Sequence, residues 1–153
     1  MIERILSLNK NPLFTDFINH TAFLISRDSE KFHAYMEKDG FIESVVKWAQ
    51  SHGFKEIKAN IEGFDTPKSY ERTQDNQVFT PDVTGINMYN KHYLEVSLKN
   101  DKMMKDISKW KLLSELASMK GGKLYLMAPR GHVRYTRDVI SQHNIPAEVV
   151  KIS

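Results

Sequence analysis

The chain has 153 residues, of which 41% are hydrophobic and 27% are charged, a composition typical of a single soluble globular domain. Its formal net charge of +3 permits an anionic partner but does not require one. The absence of cysteine excludes disulfides and thiolate metal sites and favours a cytoplasmic location, and no apolar run approaches the roughly 18 residues of a membrane span.

Residues 1–40 are predicted to form a helical extension. Pro12 suits the start of a helix after Asn11, and apolar residues then recur at helical spacing: Leu13, Phe14, Phe17, Ile18 and Leu24. A short helix is expected over 29–38, with Gly40 interrupting it. The first four residues include an acid and are followed by no continuous apolar stretch, so we expect no signal peptide. The apolar helices could pack against a second copy, which would give a homodimer.

Residues 41–77 are predicted to contain a helix, a strand and a loop. An amphipathic helix over 41–52, ending at Gly53, is indicated by apolar residues at helical spacing: Ile42, Val45, Val46 and Ala49. A strand over 54–64 follows, in which apolar residues alternate with polar ones: Ile57, Ala59 and Ile61. The polar stretch 65–77 is predicted to be a loop.

Two alternating stretches, 79–84 and 93–99, are predicted to pair as a β-hairpin around the turn residues 85–91. With the turn at Met88–Tyr89, apolar residues face one another in three pairs: Val83 with Leu94, Pro81 with Val96, and Phe79 with Leu98. In this register Asp82 lies opposite Glu95 on the other face. A shift of one residue would turn one strand's apolar residues to the wrong face, so the pattern itself favours this pairing.

The predicted juxtaposition of Asp82 and Glu95 suggests a cation site. Two like charges directly opposed on a sheet are destabilising, and a hard divalent ion such as Mg²⁺, which prefers carboxylate oxygens, would remove the repulsion. The alternative is a solvated face on which the two acids repel only weakly. On this basis, removal of either carboxylate is expected to leave the melting temperature unchanged or higher.

The remainder of the chain is predicted to alternate helices and strands. A helix over 102–120 ends at Gly121-Gly122, and a strand over 124–128, a helix over 133–143 and a strand over 147–152 follow. The crossover after the hairpin should be right-handed, so the strand over 124–128 runs parallel to the Glu95 strand. The loop after Ala128 then emerges at the same end of the sheet as Glu95 to Lys99.

This arrangement resembles the PD-(D/E)xK, or restriction-endonuclease-like, nuclease superfamily. The resemblance covers about residues 41–130 and rests on Pro81-Asp82, twelve intervening residues, and Glu95-Val96-Ser97. It implies an α/β fold with an α-β-β-β-α-β core, in which helices flank a mixed central sheet. It also implies cleavage of phosphodiester bonds with Mg²⁺ or Mn²⁺, with Asp82 and Glu95 as the metal ligands.

The motif departs from the family at Ser97, which stands where the superfamily has a lysine that assists the attacking water. A hydroxyl cannot supply that positive charge. Lys99 shares the predicted strand face with Glu95 and lies about 7 Å beyond Ser97, so it is the expected catalytic substitute. The resemblance also suggests Glu43, on the helix before the first strand, as an additional metal ligand. A solvated side chain is the alternative for both residues.

Basic residues near the predicted site are candidates for binding nucleic-acid phosphates. The helix over 102–120 begins directly after the Glu95 strand and carries a lysine stripe: Lys102, Lys105 and Lys109. A second group follows the strand over 124–128: Arg130, His132 and Arg134. The planar guanidinium of arginine donates paired hydrogen bonds that suit a phosphate. The alternative is that both groups are ordinary solvated surface.

The sequence therefore predicts one domain over 1–153, composed of the N-terminal extension 1–40, a nuclease-like core over 41–130 and a C-terminal helix and strand over 131–153. The leading functional hypothesis is metal-dependent cleavage of nucleic acid, DNA in preference to RNA, without membrane association. Two alternatives stay open. One is a non-catalytic nucleic-acid-binding module on the same fold, which Ser97 favours. The other is an interaction domain that self-associates through its N-terminal helices.

Overall fold

Residues 37–153 are described by the computed structural model, and the helices predicted within 1–36 lie outside them. Residues 39–153 belong to one compact unit. The described elements, in chain order, are α1 (37–51), β1 (Lys55–Ala59), β2 (Tyr70–Arg72), β3 (Gln77–Phe79), β4 (Val83–Asn87), β5 (Asn90–Val96), α2 (Met103–Met119), β6 (Leu124–Pro129), α3 (Val133–Gln142) and β7 (Glu148–Ile152). Gly40 lies inside α1, so the interruption predicted there is wrong.

The fold is α/β, with a mixed five-stranded sheet flanked by helices, as the sequence predicts. The strand order is β1-β4-β5-β6-β7. Strands β1, β4 and β5 pair in antiparallel fashion, whereas β5, β6 and β7 are parallel. Parallel neighbours need crossover connections, and helices α2 and α3 supply them. The ends of β5 and β6 therefore lie at the same edge of the sheet.

Each face of the sheet buries a separate apolar cluster. Helix α1 covers one face, where its buried residues pack with Val83, Leu94 and Val96. Helices α2 and α3 cover the other face, where Tyr93 and Leu126 pack with residues that include Trp110. The alternation along β5 thus sends Leu94 and Val96 to the α1 side and Tyr93 to the α2 side. None of the helical segments within 37–153 is long and apolar enough to cross a membrane.

Helices α1 and α2 end where the sequence predicts, because each is followed by a glycine with left-handed backbone. Gly53 has φ of +80° and Gly121 has φ of +70°. After α1, the Phe54 N–H donates to the Ala49 carbonyl at 3.0 Å, and after α2 the Gly122 N–H donates to the Ala117 carbonyl at 2.8 Å. These bonds satisfy carbonyls that the helix leaves without partners, which fixes both ends.

The predicted hairpin register is confirmed. Val83 pairs with Leu94, and the ladder continues to Asn87 and Asn90 around a two-residue turn. The turn residues Met88 and Tyr89 have φ of +52° and +68°. Two consecutive positive φ angles are the geometry of the tight hairpin turn whose twist matches the flanking strands.

Three predictions upstream of the hairpin are wrong in detail. The stretch 65–77 is not all loop, because β2 pairs with β3 as a separate two-stranded ribbon. Phe79 belongs to this ribbon and pairs with Tyr70, so it does not face Leu98. Strand β1 is shorter than predicted, and its pairing with β4 is irregular between Lys55 and Lys58. Pro81, which has no N–H to donate, separates the ribbon from β4.

The turn geometry predicts that Tyr89→Gly stabilises the protein. Tyr89 is fully exposed, so no packing is lost, and relief of the left-handed strain (about 1–2 kcal/mol) exceeds the extra chain entropy of glycine (about 0.5–1 kcal/mol). We expect the melting temperature to rise by about 2–4 °C in a thermal unfolding experiment. Met104→Gly is the control, since this exposed residue of α2 has ordinary helical backbone and its replacement should lower stability by about 1 kcal/mol. A Tyr89→Gly protein that melts earlier than the parent would contradict the backbone strain assigned to Tyr89.

Candidate active site

The carboxylates of Asp82 and Glu95 link β4 to β5 beyond the last backbone pair of the two strands. The last backbone pair is Val83 with Leu94. Beyond it, the Asp82 N–H donates to Glu95 Oε2 at 2.7 Å, and the Val96 N–H donates to Asp82 Oδ2 at 3.0 Å. Each side chain thus accepts from the opposite strand, which holds the two carboxylates side by side.

Both carboxylates are buried, which excludes the solvated-face alternative. Asp82 is 2% exposed and Glu95 is 1% exposed. The expected unchanged or higher melting temperature assumes that removal of a carboxylate costs no burial, and the burial of both side chains contradicts that assumption. Truncation of Asp82 to alanine would leave the Val96 N–H without its present acceptor, and a buried donor without a partner costs about 1–3 kcal/mol.

Lys109 of α2 lies with this pair. Its Nζ is 2.7 Å from Glu95 Oε1 and 3.7 Å from Asp82 Oδ1. Burial alone would lower the pKa of Lys109, but the charges of Glu95 and Asp82, with a hydrogen bond to Glu95, raise it above its ordinary value. The side chain is therefore an ammonium, and at 15% exposure it is the most accessible of the three.

The three lysines of the predicted stripe on α2 lie in two different environments. Lys102 and Lys105 are exposed, as expected for residues that could meet a phosphate. The spacing predicts that Lys109 belongs with them, yet its side chain turns inward to the carboxylates. The helical spacing places all three on one side of α2, but it cannot tell which of them meets the end of β5.

Asp106 and Tyr135 border the group and were missed by the sequence reasoning. Asp106 lies one turn before Lys109, and its charge contributes to the raised pKa of Lys109. Burial first, and then the charge of Asp106, raises the pKa of Tyr135 on α3. The Tyr135 hydroxyl is buried and has no hydrogen-bond partner among the described residues. The three-residue spacing of Asp106 and Lys109 was a usable signal, whereas nothing local marks Tyr135.

Ser97, at the position of the family lysine, has a structural role. It is fully buried, and its Oγ lies 2.6 Å from Thr136 Oγ1 on α3. The Thr136 hydroxyl donates to the His132 carbonyl at 2.8 Å, so Ser97 is the donor to Thr136. This chain of bonds ties the first turn of α3 to the end of β5. A lysine at residue 97 would have to displace that contact.

Lys99 does not continue the strand face of Glu95, because β5 ends at Val96. Its side chain is exposed, and its backbone N–H donates to His132 Nδ1 at 2.9 Å. His132 is thereby held at the start of α3 as a hydrogen-bond acceptor. The prediction that Lys99 shares the strand face with Glu95 is wrong, since β5 ends one residue after Glu95 and three residues before Lys99.

The remaining predicted site residues Arg130, Arg134 and Glu43 are exposed. Arg130 is exposed after β6, and Arg134 lines a surface depression of about 430 Å³ together with Gly131, Arg137 and Lys151. Glu43 is exposed on α1, whose packing covers the opposite face of the sheet. Over residues 37–153 no three His, Cys, Asp or Glu side chains gather around a common metal position, so Glu43 does not complete a three-acid site.

The donor set nevertheless fits a divalent ion. Asp82 Oδ1 and Glu95 Oε1 both face the position of one cation, the Lys109 ammonium. Mg²⁺ characteristically binds through one or two carboxylates and keeps several waters. Two carboxylates are therefore a sufficient protein contribution, provided that the Lys109 ammonium shifts aside.

Comparison of the chain with protein-family models, curated proteins and solved structures gave no match. The likeness to PD-(D/E)xK nucleases accordingly rests on the motif residues and the strand order alone.

The ion-pair geometry predicts that Lys109→Met destabilises the protein by on the order of 3 kcal/mol, because the ammonium that contacts both buried carboxylates is removed. Glu95→Gln should recover part of this loss in the double variant, since the amide carries no charge. Chemical denaturation of the two single variants and the double variant measures the coupling. Lys111→Met, at an exposed position on the same helix, is the control and should change stability by less than about 0.5 kcal/mol. Strictly additive effects of Lys109→Met and Glu95→Gln would contradict the ion pair.

Proposed function

We propose that this protein is a metal-dependent nuclease that hydrolyses phosphodiester bonds in nucleic acid, DNA in preference to RNA. One observation carries the proposal: two buried carboxylate oxygens converge on one ammonium at the end of β5. Paired hard oxygen donors beside a cationic side chain are the groups needed to hold a divalent ion next to a phosphate. The motif around Asp82 and Glu95 and the order of the strands add support.

Asp82 and Glu95 would hold Mg²⁺ or Mn²⁺ through Oδ1 and Oε1, since their other oxygens accept backbone N–H groups. When bound, such an ion activates a water molecule and neutralises charge on the scissile phosphate. The backbone hydrogen bonds fix both carboxylates beforehand, so little reorganisation of these side chains is needed on binding. The main contribution of the hairpin to the proposed site is therefore to hold these two carboxylates in a fixed position.

Lys109 is proposed to take the role that the resemblance gives to the motif lysine. Its ammonium lies 2.7 Å from Glu95, whereas Lys99 is exposed beyond the end of β5. A positive charge held beside the two carboxylates would stabilise negative charge that develops on the phosphate. Supply of this charge from α2 leaves residue 97 available for the contact of Ser97 with α3.

Nucleic acid would reach this site across basic surface. Lys102 and Lys105 are exposed at the start of α2, and Arg130 is exposed after β6. The depression that Arg134 shares with Arg137 and Lys151 adds further cations near the start of α3. Contacts of this kind bind phosphates without reading sequence, so affinity should fall steeply with salt.

A non-catalytic nucleic-acid-binding module is the second candidate, and the contact of Lys109 with both carboxylates favours it. An ammonium between two acids compensates their charge without any metal ion. In that case the three residues would stabilise the end of the hairpin, and the basic surface would bind nucleic acid by itself.

Asp82→Asn and Glu95→Gln should each abolish metal-dependent cleavage, with losses on the order of 100-fold or more, because a neutral amide holds Mg²⁺ poorly. The amides keep an oxygen acceptor for the backbone N–H groups, so both proteins should remain folded. Cleavage of labelled single-stranded, duplex and branched DNA and of RNA, with Mg²⁺ or Mn²⁺, is the measurement. Glu115→Gln, an exposed acid on α2, is the control.

Full activity in either carboxylate variant would refute the assignment. A wild-type protein that binds these substrates but cleaves none of them would favour the binding module.

Lys109→Arg should retain part of the turnover that Lys109→Met loses, since arginine restores the charge, whereas Lys99→Ala should cleave at nearly the parent rate. Single-turnover rates isolate the chemical step from binding. Arg130→Ala should instead weaken binding and reduce its salt dependence, as expected of a ground-state phosphate contact. Loss of cleavage in Lys99→Ala with normal turnover in Lys109→Met would return the role to Lys99.

A further inference from the structure

Two tyrosines form a hydrogen-bonded pair on the α2 side of the sheet. Tyr70 of β2 and Tyr93 of β5 have hydroxyl oxygens 2.8 Å apart, and their rings meet edge to face at a centroid distance of 6.1 Å. Tyr93 is fully buried, whereas Tyr70 is partly exposed. The pair thus opens to solvent through Tyr70.

Three lysines surround this pair. Lys91 Nζ is 3.4 Å from the Tyr70 hydroxyl and 5.4 Å from the centre of the Tyr93 ring. Lys120 Nζ is 3.4 Å from the Tyr93 hydroxyl and 5.9 Å from the centre of the Tyr70 ring. Lys68 adds a third ammonium 5.8 Å from the Tyr70 ring. Each lysine comes from a different segment of the chain, so the tertiary structure assembles the cluster.

A close backbone contact brings two of the lysines together. A Cβ atom on Gly122 would lie 1.8 Å from the Lys91 carbonyl oxygen, so only glycine fits at this position. The end of α2 can therefore approach β5 closely. This approach places Lys120 beside the tyrosine pair, across from Lys91.

The cluster is cationic and has no acidic partner in the described chain. Within residues 37–153, none of Lys68, Lys91 and Lys120 forms an ion pair with a carboxylate. Burial acts to raise the pKa of Tyr70, but hydrogen bonds from Tyr93 and Lys91 and the charges of Lys91 and Lys120 outweigh it and lower the pKa. Negative charge is therefore stabilised at the Tyr70 oxygen.

We propose that Tyr70, Lys91 and Lys120 form a binding site for a phosphoryl group. Ammonium groups and phenol hydroxyls are hydrogen-bond donors to phosphate oxygens, and phosphate supplies the negative charge that the cluster lacks. The phosphoryl group belongs either to a free phosphate or nucleotide or to the backbone of a nucleic acid. Phosphate binding at this cluster needs neither catalysis nor a metal ion, so it is independent of the proposed nuclease activity.

The position of the cluster is compatible with a ligand that also reaches the carboxylates. Tyr93 and Glu95 are two residues apart on β5 and point to the same face, so their Cα atoms are separated by about 7 Å. Helix α2 carries Lys109 to Glu95 and ends next to Lys120, which contacts Tyr93. Strand β5 itself is covered by α2, so a strand of nucleic acid would meet both places at the partly exposed Lys109 and the exposed Lys120 rather than along β5.

Calorimetric titration with inorganic phosphate at fixed ionic strength tests the site. Lys91→Met and Lys120→Met should each weaken phosphate binding about tenfold, as expected for loss of one charge-assisted hydrogen bond. Lys123→Met is the matched control, because Lys123 is exposed near Lys120 but pairs with Glu148. The phosphate affinity of this variant should differ from that of the parent protein by less than about twofold. Asp82→Asn should bind phosphate normally, which separates this inference from the proposed nuclease activity.

A spectroscopic titration of tyrosine ionisation gives a second readout. A bound phosphate repels the phenolate, so saturation with phosphate should raise the pKa of Tyr70, and Tyr70→Phe should abolish that change. Displacement of phosphate by an oligonucleotide without terminal phosphates identifies the nucleic-acid backbone as the source. Displacement only by mononucleotides identifies a small ligand. Phosphate affinity that falls equally in the Lys91, Lys120 and Lys123 variants, or no saturable binding, would overturn the proposal.

Discussion

The region around the candidate site depends on two hydrogen bonds in which side-chain carboxylates, and not backbone carbonyls, accept backbone N–H groups at the end of the β4–β5 ladder. Pro81 cannot donate a hydrogen bond, and the strand bends away into the ribbon formed by β2 and β3. Asp82 and Glu95 then accept the two N–H groups that the ladder no longer pairs. Because each carboxylate bonds to the opposite strand, a slip of one residue would break both bonds and leave the two charges on different faces of the sheet.

Burial of two carboxylates at this point constrains the rest of the domain. Removal of charge from water is expensive, so buried acids are stable only with hydrogen bonds and a nearby cation. Helix α2 provides that cation at Lys109, while its apolar residues pack on the sheet through Trp110 and Leu113. The position of α2 is therefore fixed by two kinds of contact, one apolar and one ionic. Lys109 would need this position on α2 whether it acts in catalysis or only stabilises the two buried carboxylates.

The two clusters on the α2 side of β5 have opposite electrostatic character. At Glu95, two carboxylates and one ammonium form a compact group, so the acidic groups outnumber the basic group by one. At Tyr93, three ammoniums surround two phenols. A cation suits the first and an anion suits the second.

The sequence by itself determined the register of the hairpin, the ends of α1 and α2, and the mixed sheet. These features follow from local rules: strands alternate with a period of two, glycine tolerates the left-handed backbone after a helix, and crossovers are right-handed. The sequence also identified Asp82 and Glu95 as neighbours, because both belong to the same hairpin. It did not predict that both side chains are buried, since a pattern of polar residues on one face does not show whether a helix will cover them.

Only the tertiary structure decided which lysine meets the carboxylates. Lys99 is closer to Glu95 along the chain, but the strand ends at Val96, and the close contact comes instead from Lys109, fourteen positions after Glu95. The same holds for Ser97, whose partner Thr136 is 39 residues away, and for the tyrosine pair, which joins residues 23 apart. Such contacts depend on how α2, α3 and the short ribbon pack on the sheet. Packing of this kind arises from the summed burial of many side chains, and no local pattern around one of them records it.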